Sequence, residues 1–173
     1  MSSAAEHPSA TITVADEAEL GRAAVRFAAC LPTHAFVALH GDLGAGKTTF
    51  VKGVAAAVGI DPAMVVSPTF GLIHLYDAAA AHPPIRIVHA DLYRLTGLDD
   101  LIEIGWDDAT TARPPARVWT FVEWPERISD ALPAERLDLD LVITSETGRQ
   151  LTFTSRGANH AVIVSAMQQP QAV

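Results

Sequence analysis

The 173-residue chain alternates short apolar segments with polar turns, a pattern that predicts strands and helices in succession. The predicted strands are residues 11–14, 35–40, 71–76, 85–90, 118–122, 137–144 and 150–155. The runs at 35–40 and 118–122 are mostly apolar, which suits buried parallel strands. The last two strands alternate apolar and polar side chains, with Leu137, Leu139, Leu141 and Ile143 on the apolar face. The turn at Thr147 and Gly148 predicts that they pair as a hairpin, and the third and fourth strands form another.

Apolar residues recur every three to four positions in four other segments, which predicts helices. The first helix follows Asp16, a suitable N-cap with Glu19 three residues later, and it ends at Pro32. The other predicted helices are residues 49–58, 99–104 and 107–112. Residues 161–167 are apolar but too short to assign. We expect a disordered tail at residues 1–10, a single domain at 11–167 and a frayed tail at 168–173.

Residues 41–48 match the phosphate-binding pattern G-x-x-x-x-G-K-[ST] at every fixed position. The glycines let backbone N–H groups approach phosphate oxygens, and the following helix points the positive end of its dipole at the same anion. Lys47 supplies a cation for the β- and γ-phosphates, and the Thr48 hydroxyl can ligate Mg²⁺. The predicted nucleotide-binding residues of this segment are Asp42, Leu43, Gly44, Ala45, Gly46, Lys47, Thr48 and Thr49.

The order of the elements predicts an α/β fold of the P-loop NTPase type. This fold is a three-layer sandwich with a mostly parallel central sheet and antiparallel hairpins toward the C-terminus. In open parallel sheets the ligand binds at the carboxyl ends of the strands. Asp91 and Glu123 each follow an apolar strand, so both can converge on a Mg²⁺ ion held by Thr48. The alternative is that each acid simply ends a strand at a solvated edge.

Two further polar residues have open roles. Thr69 lies in the stiff Ser67-Pro68-Thr69 turn, where a switch that senses the γ-phosphate would lie; a locally hydrogen-bonded turn residue is the alternative. Arg149, at the tip of the C-terminal hairpin, either reaches phosphate or a partner, or is simply solvated. The strand histidines lack the spacing of zinc ligands; they are His40, His74 and His89.

Composition limits the partners and the compartment. Twenty acidic residues against 12 basic ones give a net charge of −8, so the chain is a poor nucleic-acid binder by itself. If it serves a nucleic acid, a partner must hold that nucleic acid. No apolar run reaches the ~18 residues of a membrane span, so we expect none. The single cysteine, Cys30, is expected to be an inert core thiol and suits a reducing cytoplasm.

The chemistry of the site favours ATP hydrolysis. The chain lacks the N-K-x-D motif of guanine-specific proteins, so ATP is expected by elimination. Because no residue identifies itself as an efficient general base, we expect slow turnover alone and activation by a partner. Two alternatives stay open. A small-molecule or nucleotide kinase would need an acceptor pocket and an arginine-bearing lid, and no arginine-rich lid segment is found. A nucleotide-sensing subunit would hydrolyse negligibly.

Five motifs follow one another along the chain. They are residues 41–50, Ser67-Pro68-Thr69, His89-Ala90-Asp91-Leu92-Tyr93-Arg94-Leu95, Glu103-Ile104-Gly105 and Val122-Glu123-Trp124-Pro125-Glu126. In order and spacing they closely resemble the bacterial TsaE (YjeE) family, over roughly residues 11–153. Ala90 departs from the family pattern, which often has an aromatic residue there.

The resemblance implies a small Mg²⁺-dependent P-loop ATPase required for threonylcarbamoyladenosine formation in tRNA. It implies that ATP hydrolysis resets a TsaD–TsaB heterodimer between turnovers, and that tRNA is reached only through that complex. We expect a cytoplasmic protein that is a monomer when free.

Carried over by motif, Lys47 and the loop amides hold phosphates, and Thr48 and Glu123 hold Mg²⁺. Asp91 supports the metal or its water, and Thr69 lies in a switch-like loop. These assignments give four expected catalytic residues: Lys47, Thr69, Asp91 and Glu123. Asp16 and Glu17 align with a segment at the edge of the nucleotide.

Overall fold

The computed structural model describes residues 7–68, 72–96, 99–111 and 117–169. Its strands are β1 (Ser9–Val14), β2 (His34–His40), β3 (Ile73–Ala78), β4 (Ile85–Asp91), β5 (Arg117–Glu123), β6 (Arg136–Ile143) and β7 (Arg149–Arg156). They form one sheet in the order β1-β7-β6-β2-β5-β4-β3. Strands that are neighbours in the sheet are therefore often distant in sequence.

The centre of the sheet is parallel and both of its edges are antiparallel. Strands β6, β2, β5 and β4 run in the same direction. β3 pairs antiparallel with β4, and β7 pairs antiparallel with both β6 and β1. The mixed α/β fold and both predicted hairpins are confirmed. Because β2, β5 and β4 are parallel neighbours, their carboxyl ends lie along one edge of the sheet, where ligands bind in such folds.

The helices are α1 (Glu17–Ala28), α2 (Lys47–Ala57), α3 (Asp99–Glu103), α4 (Trp106–Thr110) and α5 (Ala161–Gln168), with short 3₁₀ segments at Pro62–Met64 and Pro125–Ala131. The predicted N-cap of α1 is confirmed, since an oxygen of Asp16 accepts a hydrogen bond of 2.8 Å from the Glu19 backbone N–H. α2 begins two residues earlier than predicted. None of the described helices is long and apolar enough to cross a membrane.

Helices cover both faces of the sheet and bury a core on each. On one face, side chains of α1, α2 and α5 pack with the sheet around an aromatic group of Phe27, Phe50, Phe121 and Phe153. On the other face, the smaller core contains Val122 together with Leu101 of α3 and Trp106 of α4. Phe121 and Val122 are consecutive on β5 and face opposite sides, as the pleat requires. The predicted three layers are therefore present.

Several element boundaries differ from the sequence prediction. β1 begins at Ser9, so residues 9 and 10 of the predicted N-terminal tail belong to a strand. The unassigned apolar run is α5, and Gln168 of the predicted C-terminal tail ends this helix and donates to the Ser9 carbonyl at 2.9 Å. Gly71 of the predicted third strand and Ala112 of the predicted fourth helix lie outside the described residues.

The predicted alternation of β6 fails at two positions. Ile143 is 47% exposed, although the alternation of apolar and polar residues predicts that it lies on the buried face. Asp138 is only 5% exposed, although the same pattern puts it toward solvent. Two arginines explain the burial: Arg136 and Arg156 donate to opposite oxygens of the Asp138 carboxylate at 2.8 and 2.7 Å. A buried charge is tolerated when it is paired in this way.

Candidate functional site

A glycine-rich loop joins β2 to α2 at the carboxyl end of the parallel strands. Gly41, Gly44 and Gly46 have φ angles of 139°, 81° and 105°, in the region that favours glycine. A Cβ atom at Gly41 would lie 2.5 Å from the carbonyl oxygen of Leu141, so the loop passes too close to β6 for a side chain there. The fixed glycines of the motif therefore meet a backbone requirement in this fold.

Lys47 is the first residue of α2 and is 5% exposed. Its Nζ atom donates to the carbonyl oxygens of Gly41 and Asp42 at 2.6 and 3.0 Å. The same ammonium group lies 4.6 Å from the centre of the Trp124 ring, within the range of a cation–π interaction. The loop carbonyls thus hold the lysine cation beside the segment where phosphate oxygens would bind.

Two predicted acids lie next to each other at the ends of neighbouring strands. Asp91 of β4 and Glu123 of β5 are register partners, and both are buried. The Thr48 hydroxyl donates to Glu123 Oε1 at 2.8 Å. Asp91 accepts from the Ser67 hydroxyl at 3.1 Å and from the Tyr93 backbone N–H at 3.0 Å. The structure therefore brings both acids to the phosphate loop and ties one of them to it directly.

A cleft of about 550 Å³ opens between the phosphate loop and the ends of β4 and β5. It is lined by Leu43, Gly44, Gly46, Lys47, Thr48, Thr49, Ser67, Asp91, Tyr93, Glu123 and Trp124. Two aromatic residues in this set were not assigned to the site from sequence. The ring centres of Tyr93 and Trp124 are 5.1 Å apart. Trp124 also has a φ angle of 59°, uncommon for a residue other than glycine and frequent where function fixes the backbone.

Arg149 binds the back of the phosphate loop rather than projecting into solvent. Its Nε atom donates to the Ala45 carbonyl at 3.0 Å and its Nη2 atom to the Gly44 carbonyl at 3.2 Å. A third donor, Nη1, bonds the Gly148 carbonyl at 2.8 Å within the C-terminal hairpin. The guanidinium group therefore joins this hairpin to the loop, an arrangement that the position at the hairpin tip alone did not indicate.

Other predicted site residues lie elsewhere. Asp16 caps α1 and is not among the described residues that line the cleft. Thr69 lies outside the described residues, so its predicted switch role is not described by the structure. Sequence reasoning missed His89, a fully buried residue of β4 whose Nε2 atom lies 2.8 Å from Glu123 Oε1. Its position two residues before Asp91, on the same face of a strand, is the signal that could have found it.

Comparisons with known proteins agree with this geometry. The sequence model of the family described as threonylcarbamoyl adenosine biosynthesis protein TsaE matches residues 14–151. A relative from Rickettsia bellii, described as tRNA threonylcarbamoyladenosine biosynthesis protein TsaE, is 32% identical over 139 residues, which are 80% of this chain and 90% of the relative. A relative of the same description from Streptomyces coelicolor is 35% identical over 148 residues, 83% of this chain and 93% of the relative.

A third relative and a solved structure extend the comparison to Bacillus subtilis. The relative has the same description and is 34% identical over 131 residues, 76% of each chain. The crystal structure of YdiB matches this fold with a TM-score of 0.73 and 27% identity, covering 94% of this chain and 95% of that one. The similarity therefore extends over most of the chain and not over the phosphate loop alone.

Proposed function

Because this chain belongs to the TsaE family of threonylcarbamoyl adenosine biosynthesis proteins, as its motifs predict, we propose that it hydrolyses ATP in support of this tRNA modification. Membership itself implies nucleotide binding and a role in the modification pathway. The proposal adds that hydrolysis resets a TsaD–TsaB complex between turnovers, and that the protein works in the cytoplasm beside the tRNA it serves.

The contact between Thr48 and Glu123 is the observation that supports hydrolysis most directly. It joins the last residue of the phosphate motif, on α2, to an acid at the end of β5, at a distance of 2.8 Å and with Glu123 only 4% exposed. A phosphate loop alone can bind nucleotide, whereas phosphoryl transfer to water also needs metal ligands and a group that orients the water. The same cleft also contains Lys47 and Asp91.

The donor atoms of this cleft fit Mg²⁺. No three His, Cys, Asp or Glu side chains of the described residues are grouped as a metal site. Magnesium, however, commonly takes one or two carboxylates and fills its other positions with water and substrate phosphates. Thr48 and Glu123 would hold the ion through oxygen atoms, with Asp91 supporting it or its water. When bound, Mg²⁺ neutralises charge that develops on the phosphates.

Each residue of the cleft would then have its own role in ATP hydrolysis. Lys47 would exchange the Gly41 and Asp42 carbonyls for the β- and γ-phosphates, and the amides of residues 42–49 would complete the phosphate cradle. Glu123 would hold the metal with Thr48. Asp91 would support the metal or its water, and Thr69 would be the residue that senses the γ-phosphate. Since none of these groups is an evident strong base, turnover by the free protein would be slow and would rise in the complex.

The charge of the chain supports an indirect contact with tRNA. A net charge of −8 opposes binding to a polyanion, so the TsaD–TsaB pair would hold the tRNA and this chain would bind the pair. The free protein would be a monomer. A complex of this kind also accounts for a slow free enzyme, because a partner can order the catalytic groups of a weakly active site.

The proposal is tested by ATP hydrolysis in the purified protein, alone and with its cognate TsaD–TsaB pair and tRNA. We expect slow hydrolysis alone, faster hydrolysis in the complex and repeated rounds of tRNA modification only when this chain is present. Lys47→Ala and Glu123→Ala should each lower hydrolysis by about 10²-fold or more, because each removes a group that stabilises the transition state.

Lys52→Ala is the matched control, since Lys52 lies on the same helix but outside the loop and should leave hydrolysis unchanged. Hydrolysis that ignores the changes at Lys47 and Glu123, or tRNA modification that cycles equally well without this chain, would reject the proposal. Transfer of the γ-phosphate to a small-molecule acceptor instead of water would favour the kinase alternative.

A further inference from the structure

His89 is a buried polar residue that the proposed function leaves without a role. It lies on β4 two residues before Asp91, so both side chains are on the same face of the strand. Its register partner on β5 is Phe121, which lies two residues before Glu123. The imidazole is 0% exposed, and a fully buried histidine requires hydrogen-bond partners or a reason for lacking them.

Both contacts that the described residues make with the Glu123 carboxylate are to the same oxygen atom. Thr48 Oγ1 and His89 Nε2 each lie 2.8 Å from Oε1, one from the phosphate-loop side and one from the interior of the sheet. A carboxylate held at one oxygen by two donors is fixed in rotation. Its second oxygen, Oε2, is then held in one direction, and Glu123 is one of the residues that line the cleft.

The surroundings of the other ring nitrogen identify the tautomer. His89 Nδ1 is buried and has no hydrogen-bond partner among the described residues. A proton on Nδ1 would be an N–H donor buried without an acceptor, which costs more than an unpaired lone pair. Glu123 Oε1 already accepts the Thr48 hydroxyl, and a carboxylate offers only acceptors. We therefore place the proton on Nε2, where it donates to Oε1.

We propose that His89 is a positioning residue for Glu123. Its Nε2–H bond, together with Thr48, holds the carboxylate so that Oε2 faces the cleft. This inference rests on the proposed function, because it assigns a task to the same acid. Residues that orient a ligating carboxylate from behind contribute about 10- to 100-fold to affinity or activity in other proteins, without touching the substrate themselves.

Two amide substitutions separate this role from simple core packing. In His89→Gln the side-chain N–H₂ can reach the place of the imidazole Nε2, so the donor to Glu123 is kept. In His89→Asn the same amide ends near the place of Nδ1 and cannot reach Oε1. We expect His89→Asn to lower kcat for ATP about 10- to 100-fold with KM changed less than about threefold, and His89→Gln to recover most of that loss.

Nitrogen-15 NMR of the imidazole supplies a readout that does not depend on activity. The wild-type protein, without added nucleotide, should show a protonated Nε2 and an unprotonated Nδ1 for His89. Glu123→Ala should displace the Nε2 resonance, because it removes the acceptor. An unprotonated Nε2, an Nε2 resonance indifferent to Glu123→Ala, or equal activity of the folded Asn and Gln variants would each overturn the inference.

Failure of the proposed function would look different. In that case the wild-type protein would hydrolyse no ATP with or without the TsaD–TsaB pair. The NMR comparison would still decide whether His89 donates to Glu123, and affinity for ADP with Mg²⁺ would replace kcat as the second measurement. There too, His89→Asn should weaken binding and His89→Gln should restore it.

Discussion

The carboxylate of Asp138 illustrates how single residues depart from a pattern for physical reasons. Burial by itself disfavours its charged form, yet His40, whose Nε2 atom lies 3.8 Å from Oδ1, and hydrogen bonds from Arg156 and Arg136 hold the pKa of Asp138 well below its usual range. The group is therefore ionised and buried at neutral pH because three basic side chains surround it. It lies on β6, outside the set of residues that line the phosphate-loop cleft, so we assign it to stability.

Asp138→Asn should lower the free energy of unfolding by about 1–3 kcal/mol at pH 7, because it leaves two arginines with a weaker acceptor. A depressed native pKa stabilises the fold above the unfolded-state pKa of about 3.9, and that contribution is lost as the pH falls further toward the native pKa. The difference in the free energy of unfolding between wild type and variant should thus be constant from pH 7 to pH 5 and decrease below pH 4. Urea unfolding at these pH values measures it.

Asp140→Asn is the control for this experiment. Asp140 lies two residues further along the same strand and is exposed, so its substitution should change the free energy of unfolding by less than about 0.5 kcal/mol. Equal losses in the two variants, or a loss at Asp138 that does not diminish in acid, would contradict the assigned role.

Arg149 offers a second test at the scale of one residue. The fork of its guanidinium group binds two adjacent carbonyls of the phosphate loop, which orients the loop from behind. Arg149→Ala should therefore weaken ATP binding about 10- to 100-fold, the loss expected when hydrogen bonds of a charged group worth about 1.5–3 kcal/mol are removed. Isothermal titration of ATP into each variant measures this loss.

Arg149→Lys distinguishes support of the loop from direct contact with phosphate. A lysine keeps the positive charge but cannot bridge two carbonyls with a planar fork. If the loop contact is what matters, the lysine variant should bind ATP almost as weakly as the alanine variant. ATP affinity fully restored by lysine would instead indicate that the charge acts on the phosphate.

At the scale of elements, the contact between α1 and α2 depends on a glycine. A Cβ atom at Gly53 of α2 would lie 2.6 Å from the Ala24 Cβ atom of α1 and 3.2 Å from the Gly21 carbonyl oxygen. The two helices therefore approach more closely than an alanine would permit. Because α2 begins at Lys47, this packing also fixes the helix whose first turn contains Lys47 and Thr48, which we propose bind phosphate and Mg²⁺.

Gly53→Ala should destabilise the fold by up to about 2 kcal/mol, since overpacking of about 1–3 kcal/mol is only partly offset by the gain of about 1 kcal/mol in helix propensity. Gly21→Ala is the matched control on α1: a Cβ atom there meets nothing within 4 Å. It should stabilise the protein by about 0.5–1 kcal/mol. Thermal unfolding of both variants tests the pair, and a stabilising Gly53→Ala would refute the close contact.

Some elements of the fold could be predicted from the sequence, and others could not. The phosphate loop and the acids Asp91 and Glu123 were predictable because local patterns carry them: glycine spacing in one case, the end of an apolar strand in the other. The helix α5 was not predictable, because its eight residues depend on packing against β1, β7 and α1. A short apolar run has no preference of its own that decides between helix and strand.

Residues held by distant partners escaped sequence reasoning for the same reason. Arg149 bonds a carbonyl 104 residues away, and His89 lies 34 residues from Glu123. Sequence patterns extend over short segments and therefore do not reveal a contact between residues that are this far apart in the chain. The buried position of Asp138 likewise depends on Arg156, which the β6–β7 register brings close. Local chemistry therefore predicted the loop and the acids that the fold brings to one cleft, whereas the groups behind them became visible only in the fold.

At the scale of the whole molecule, the cleft joins segments that are far apart in sequence. The loop between β2 and α2 supplies the cradle, β4 and β5 supply the acids, and the start of β7 supplies Arg149. All of these strands belong to one continuous sheet. A ligand that contacts the cleft therefore contacts the folded arrangement and has no comparable site in the unfolded chain.

Binding of ATP should accordingly stabilise the entire fold. By mass action, nucleotide at about 100 times its Kd raises the free energy of unfolding by about 2.7 kcal/mol when only the folded state binds it. Urea unfolding with and without ATP and Mg²⁺ measures the gain. Lys47→Ala should abolish most of it, because the phosphates lose their cation, while Gly21→Ala should keep it in full. A gain that persists in Lys47→Ala would mean that nucleotide binds outside the phosphate loop, and both the cleft and the role of its lysine would have to be reassigned.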